Sequence, residues 1–281
     1  MIGGKAMGIN RCGLTYEGKV VIITGGSKGI GAGCARVFVD AGAKVVICAR
    51  SIETGQKLAD ELNKKGPGSC VFIACDVLKE QDIHNVIDQT FKLYSRIDCL
   101  INNAGYHPPL KVIDDFSIAD LRDVLNVNFI NYFIFCKYTL PHLRITKGNI
   151  INITSLVAQI GQEAATIYCA SKGAITSFTK SLAIEESRHG VRVNCISPGN
   201  IISDSRIQAV KNSENPEALD NWLNSQQVLG RSGTSEETGQ LCLFLASDAA
   251  SYITGTDIII SGGAEIGYGV KYPLYFCDKI K

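Results

Sequence analysis

Short, uniformly apolar runs alternate with stretches of helical spacing along almost the whole chain, and nothing else in the sequence limits the fold as much. The runs at 20–24, 44–48, 70–74, 99–101, 149–154, 192–196 and 257–260 are rich in β-branched residues and predict seven strands. Strands without a polar face are buried on both sides, as in a parallel sheet. Between them, apolar positions recur at helical spacing: Val37, Phe38 and Ala41; Leu58 and Leu62; Ile83, Val86, Ile87 and Phe91. Ser117 with Asp120, and Thr234 with Glu237, have the spacing of helix-start capping boxes. Repeated strand–helix units predict an α/β fold, a doubly wound parallel sheet in a single domain over residues 19–270. No internal repeat or linker divides the chain.

The 281 residues suffice for one large α/β core. The formal charge is +1 and no block of like charge stands out, which argues against nucleic-acid or anionic-membrane partners. The apolar runs are too short to cross a bilayer. The 11 cysteines are scattered singly, without a C-x-x-C pair or a His at ligand spacing, so no metal site is expected. Thiols of this kind suit a reducing compartment, and a cytosolic location is expected. Residues 1–18 lack the apolar segment of a secretory signal and read as a flexible leader. Residues 203–229 are polar but contain Ile207, Val210 and Trp222, which suggests a helical flap, either a lid or a plain surface excursion.

The first strand is followed by TGGSKGIG, in which Gly25, Gly26, Gly29 and Gly31 surround Ser27, Lys28 and Ile30. Glycines between a buried strand and a helix let the backbone turn tightly and bring the helix N-terminus against an anion such as a pyrophosphate. Asp76, after the third strand, suits either an adenine amino group or a local helix cap. Asn103, Ala104 and Gly105 end the fourth strand: Asn103 can pin neighbouring strand edges and the small residues leave room for a flat cofactor, or the segment is a simple turn.

Tyr168 and Lys172 are four apart, so a helix places them on one face. An ammonium beside a phenol favours the phenolate, and a Tyr so tuned can exchange a proton with a carbinol oxygen. Alone, the pair is an ordinary solvated helix face. Ser155 ends the fifth strand, at the edge where ligands bind in open α/β sheets, and can hydrogen-bond the same oxygen. Asn128 lies in an apolar helix, either holding a water that links Lys172 to solvent or serving as a satisfied core amide.

TGGSKGIG, NNAG, Asn128, Ser155, Tyr168, Lys172 and the SPG at 197–199 occur together in the order and spacing of the short-chain dehydrogenases/reductases, and from residue 19 to about 263 the chain resembles that family. The resemblance implies a Rossmann-like sheet of seven strands and hydride transfer between NAD(P) and a secondary alcohol or carbonyl. It implies Tyr168 as acid/base, Ser155 as the group orienting the substrate, Lys172 on the nicotinamide ribose and Asn128 completing the relay. It implies a cofactor shell of Gly25, Ser27, Lys28, Gly29, Ile30, Gly31, Arg50, Asp76, Val77, Asn103, Ala104, Gly105, Tyr168, Lys172, Pro198, Gly199, Ile201 and Ser203. It also implies a homodimer or homotetramer. The loops NNAGYHPP, TSLVAQIGQ and GGAEIGYG are similar to the branch of the family that oxidises 17β-hydroxysteroids and L-fucose. By that likeness Tyr106, His107 and Gln162 join Ser155 and Tyr168 in the substrate pocket, with Tyr268 from the C-terminal segment. Residues 271–281 match nothing in it.

Departures from that branch bear on the cofactor. Its NAD-binding members carry Asp where this chain has Ala49. The loss removes the partner of the adenosine ribose hydroxyls and a charge that repels a 2′-phosphate, while Arg50 and Lys28 supply cations suited to phosphate. A charge-assisted contact contributes about 1.5–3 kcal/mol, enough to choose a cofactor. NADP(H) is therefore favoured, with NAD(H) the alternative if Arg50 points only to water. In the flap, Ser203 replaces a Thr with the hydroxyl retained, and Asp204 replaces a Pro, which reshapes the flap. Hydroxysteroid or sugar oxidation, NADPH-dependent reduction of another ketone, and a catalytically idle nucleotide binder all remain open, although none of the chemical side chains is missing.

Overall fold

The structure is a computed structural model and describes residues 13–267 and 269. All seven expected strands form, joined by two shorter ones: β1 (Val20–Thr24), β2 (Lys44–Ala49), β3 (Ser69–Ala74), β4 (Cys99–Asn102), β5 (Asn149–Ile153), β6 (Arg192–Pro198), β7 (Ile201–Ile202), β8 (Gly233–Thr234) and β9 (Asp257–Ile260). The large sheet is parallel throughout, with strand order β3-β2-β1-β4-β5-β6-β9. The direction in which successive strands are added reverses between β1 and β4, and a crevice opens there at the carboxyl ends of the strands.

The helices are α1 (Gly29–Asp40), α2 (Ile52–Leu62), α3 (Glu80–Tyr94), α4 (Ile118–Leu125), α5 (Asn131–Thr146), α6 (Val157–Ile160), α7 (Thr166–Glu186), α8 (Asp204–Lys211), α9 (Pro216–Ser225) and α10 (Ser235–Ala246). They cover both faces of the sheet. Val21, Ile23, Val45, Ile47 and Ile101 meet α1, α2 and α10 on one side. Ile22, Val46, Leu100, Ile150 and Val193 meet α3, α5 and α7 on the other. Alternate strand residues thus feed two cores, which is why the runs carry no polar face. Helices α1 and α10 cross so closely that a Cβ on Gly33 would lie 2.4 Å from the Ser235 backbone carbon. Phe91, expected on the buried face of α3, is partly exposed and packs against His142 with ring centroids 4.5 Å apart.

Both capping boxes form: Ser117 and Asp120 bond reciprocally at α4, and Thr234 and Glu237 at α10. Residues 13–18, expected in a loose leader, are docked instead. Tyr16 is fully buried, stacks edge-on against Phe38 at 5.3 Å, and its amide donates to Ala41 O at 2.7 Å. One aromatic ring buries enough apolar area to hold such a segment. The flap region is helical, as α8 and α9. The short parallel pair β7–β8 clamps its base, joining Ile201 to Gly233 and Ile202 to Thr234. Among the described residues, no helix is long and apolar enough to cross a membrane, and no group of three His, Cys, Asp or Glu is arranged to hold a metal.

Candidate active site

A cleft of about 280 Å³ lies at the carboxyl ends of the strands, where β1 and β4 part. The loop after β1 forms its floor. Gly26 N–H donates to Cys48 O at 3.2 Å, so the glycine loop leans on the end of β2. A Cβ on Gly31 would lie 2.5 Å from Gly25 O and 2.6 Å from Asn103 Nδ2, so only glycine lets α1 start this close to β4. Asn103 pins the two strand ends as expected: its Nδ2 donates to Thr24 O at 2.9 Å and to Gly25 O at 3.2 Å. Thr24 completes the tie, its Oγ1 accepting from the amides of Asn103 and Ala104 at 2.9 and 3.0 Å.

Lys28, Gly29, Ile30, Asn103, Ala104, Gly105 and Ser203 line the cleft with Gly25. Its walls do not include Arg50, which is exposed immediately after β2. Asp76 sits beside that strand end, since Cys75 N–H donates to Ala49 O at 3.0 Å. Asp76 Oδ1 accepts from the Leu78 amide at 3.2 Å, which makes a local turn and does not cap α3. Ser27 and Val77 are half-buried, and Pro198 and Gly199 close the end of β6, where Gly199 N–H reaches Ile260 O at 3.0 Å. Ile201 is buried in β7. The Ser203 hydroxyl caps α8, accepting from Arg206 N–H at 3.3 Å.

The chemical side chains converge on the opposite wall. Lys172 is buried on α7, and its ammonium donates to Ile153 O at 3.0 Å, lying 5.9 Å from the Tyr168 ring centroid. Tyr132, unforeseen in the sequence, donates its hydroxyl to the same carbonyl at 3.1 Å. Asn128 occupies a single π-helical turn, Asn126–Ile130, between α4 and α5. Such turns redirect a side chain out of the helical register. Its Oδ1 accepts from Tyr106 N–H at 2.9 Å, and its Nδ2 donates to Tyr106 O at 3.0 Å and Ser171 Oγ at 3.1 Å. Asn128 thus fastens the loop after β4 to α7. A Cβ on Gly105 would lie 3.1 Å from Asn128 Oδ1 and 3.5 Å from Lys172 Nζ, so both polar atoms face that residue.

Electrostatics differ from the sequence expectation in one respect. Burial dominates at both members of the Tyr–Lys pair, pushing the Tyr168 phenol up to about 12 and the Lys172 ammonium down to about 7. A hydrogen bond with Ser155 pulls the Tyr168 value the other way, but Lys172 does not lower it, because the amine has lost its proton well below the pH at which Tyr168 titrates. Beside Tyr168 stands His107, with ring centroids 4.2 Å apart. His107 Nδ1 lies 2.6 Å from Pro108 O and Nε2 lies 3.4 Å from Gln162 Oε1. Tyr106 precedes it in the same loop and is exposed. Thus His107 and Gln162 meet beside the Tyr168 ring and Tyr106 adjoins them, whereas Tyr268 lies outside the described residues.

Sequence reading missed Thr24, Tyr132 and Thr154 in this region, and placed Asp204 in the flap without its contact to the glycine loop. Thr154 lines the cleft and donates its hydroxyl to Lys172 O at 2.9 Å, a role that a Thr at a strand end does not announce. Asp204 also lines the cleft, with Oδ2 accepting from Gly29 N–H at 3.0 Å. A carboxylate at the first amide of α1 is a stand-in anion, so the residues present fit the phosphate portion of a dinucleotide.

A family profile described as enoyl-(acyl carrier protein) reductase matches residues 25–265. L-fucose dehydrogenase of Bos taurus is 46% identical over 259 residues, covering 92% of this chain and 94% of the relative. The Mus musculus L-fucose dehydrogenase is 46% identical over 256 residues, covering 91% and 92%. Among solved structures, L-sorbose reductase from Gluconobacter frateurii, complexed with NADPH and L-sorbose, superposes with a TM-score of 0.86 at 26% identity, covering 91% of this chain and 99% of that one. With its seven-stranded sheet, its glycine loop and Tyr168 and Lys172 at one cleft, the chain belongs to the short-chain dehydrogenase/reductase family and is an NAD(P)-dependent oxidoreductase acting on CH–OH groups.

Proposed function

We propose that the protein oxidises the anomeric carbon of an L-fucose-like sugar to the lactone, with NADP as the hydride acceptor. The polar pair His107 and Gln162, packed beside the Tyr168 ring, carries this reading, in a chain 46% identical to L-fucose dehydrogenases. A carbonyl oxygen only accepts, so the 2.6 Å contact with Pro108 O puts a proton on His107 Nδ1. His107 Nε2 adds a second polar ring atom 3.4 Å from Gln162 Oε1, and the Gln162 amide offers both donor and acceptor. Such groups suit the several hydroxyls of a sugar better than the apolar flank of a steroid. Hydroxysteroid oxidation stands as the competing substrate class.

In this mechanism Ser155 and Tyr168 hold the C1 hydroxyl. Its proton passes to Tyr168 Oη, present for this step as the phenolate, as the C1–H bond gives up its electron pair and the C1–O bond becomes a carbonyl. The bound nicotinamide supplies the acceptor for that hydride. Lys172 binds the nicotinamide ribose. Its ammonium is held on Ile153 O, 5.9 Å from the Tyr168 ring centroid. Asn128 fixes the Tyr106 backbone and faces Lys172 across Gly105.

The preference for NADP rests on Ala49, which leaves no carboxylate to repel a 2′-phosphate, and on the nearby cations Arg50 and Lys28. A second reading, NADPH-dependent reduction of a keto-sugar or other ketone, is favoured by a phenol held near 12, which donates a proton more readily than it accepts one. The same proposal extends to a homodimer or homotetramer working in the cytosol.

The test is turnover of L-fucose, other aldoses, L-sorbose and 17β-hydroxysteroids with NAD and NADP, in both directions at neutral pH. Highest kcat/KM for an L-fucose-like sugar with NADP is the expected result. A steroid as the best substrate, or a clear preference for NAD, overturns the corresponding part.

A further inference from the structure

A polar contact joins the flap to the glycine loop. Asp204 Oδ2 accepts from the amide of Gly29, the first residue of α1, although the two are 175 residues apart. A Cβ on Gly29 would lie 3.6 Å from Ser203 Cβ, so the first turn of α8 rests directly on the loop. Ser203 and Asp204 both line the cleft. The carboxylate offers what a phosphate offers there: negative charge beside the positive end of a helix, and an acceptor aimed at an N–H with no intrahelical partner.

We propose that Asp204 sets the affinity for the dinucleotide: its carboxylate acts as an internal anion on the α1 terminus, which the pyrophosphate must displace. The inference rests on the dinucleotide-binding reading above. A pyrophosphate brings two negative charges to a terminus that already faces one, so binding requires Asp204 to leave. Because Asp204 opens α8, its departure carries the first turn of the flap off the glycine loop. Cofactor binding and flap position are coupled through this one side chain. Lys28, exposed at the start of α1, remains in place as the cation that favours the incoming phosphate over the outgoing carboxylate.

The full-length chain and its Asp204→Asn and Asp204→Ala variants are titrated with NADPH and NADH by nicotinamide fluorescence. Hydrogen exchange is followed without nucleotide over residues 24–33 and 203–211. Kd for the preferred dinucleotide should fall about two- to tenfold in the alanine variant, the scale of a charge at a helix terminus. Exchange should quicken in both segments. A similar fall in the asparagine variant, which keeps size and an acceptor, supports charge as the cause; a fall in the alanine variant alone supports the hydrogen bond. Either result supports displacement. An unchanged Kd in both variants, or unchanged exchange in both segments, overturns it. If no variant and no wild-type protein binds either dinucleotide, the functional reading fails and this inference with it.

Discussion

At the chemical end of the cleft, Lys172 and Asn128 are buried and bonded to other parts of the chain: Lys172 to Ile153 O at 3.0 Å, Asn128 to Tyr106 and Ser171 at 2.9–3.1 Å. At the other end, the side chains of Arg50 and Lys28 are exposed, and among the described residues neither side chain has a hydrogen-bond partner. The first end is organised before any ligand arrives, which is what proton transfer at a fixed distance requires. The second holds only charge, at the end of β2 and at the start of α1, and its selectivity depends on what a ligand brings. Reaction chemistry and cofactor choice should therefore be separable by mutation.

Tyr168→Phe tests the preorganised end and should have the largest effect. Turnover should fall by about 10²–10⁴-fold, the usual weight of a positioned acid/base, while NADPH binding stays within about twofold. Equal losses in kcat and in dinucleotide binding would make Tyr168 a structural residue. At the other end, Ala49→Asp should lower kcat/KM for NADP by about ten- to a hundredfold, as expected from one opposed charge at a phosphate, with little change in kcat. If the preference does not move, Arg50 and Lys28 do not meet a 2′-phosphate. Asn128→Ala removes a buried amide with three partners and should cost about 1–3 kcal/mol of stability, read as a lower midpoint in urea. The smallest effect is expected from Gln162→Ala, at the exposed rim: about a threefold rise in KM for the sugar, from one lost polar contact of about 0.5–1 kcal/mol.

The pH dependence sharpens the same contrast. In the proposed oxidation Tyr168 is the proton acceptor, and its pKa of about 12 means that the phenolate fraction grows throughout the accessible alkaline range. Oxidative kcat should rise with pH without a plateau below about 10, and reductive kcat should fall over the same interval. A plateau near neutral pH would mean that a bound cation lowers the Tyr168 value. Lys172 acts on stability with a definite sign. Its folded pKa of about 7 lies below the ordinary 10.5, so the unfolded chain binds the extra proton between those values, and folding becomes more favourable as pH rises from about 7 to 10.5.

Local patterns were legible where the cause is local. The seven strands follow from apolar runs with two buried faces, and the capping boxes at Ser117 and Thr234 from side chains that meet their own helix three residues on. Tyr168 and Lys172 share a helical face because four residues make about one turn. Contacts that close over long separations were not legible. The docking of Tyr16 against Phe38, Tyr132 beside Lys172 at the Ile153 carbonyl, and the β7–β8 clamp under the flap depend on how distant segments pack.

From its sequence alone, the chain determined a parallel doubly wound sheet, the glycine loop at its edge and the spacing of Tyr168 and Lys172, because each rests on periodicity or on backbone freedom within a few residues. Only the tertiary structure decided the balance of charge in the cleft. Burial turned an expected stabilised phenolate into a phenol near 12 and left Lys172 near 7, since desolvation grows with every atom packed around a charge. The same holds for Asp204, which met the amide of Gly29 only when β6, β7 and α8 brought the flap back over the first helix.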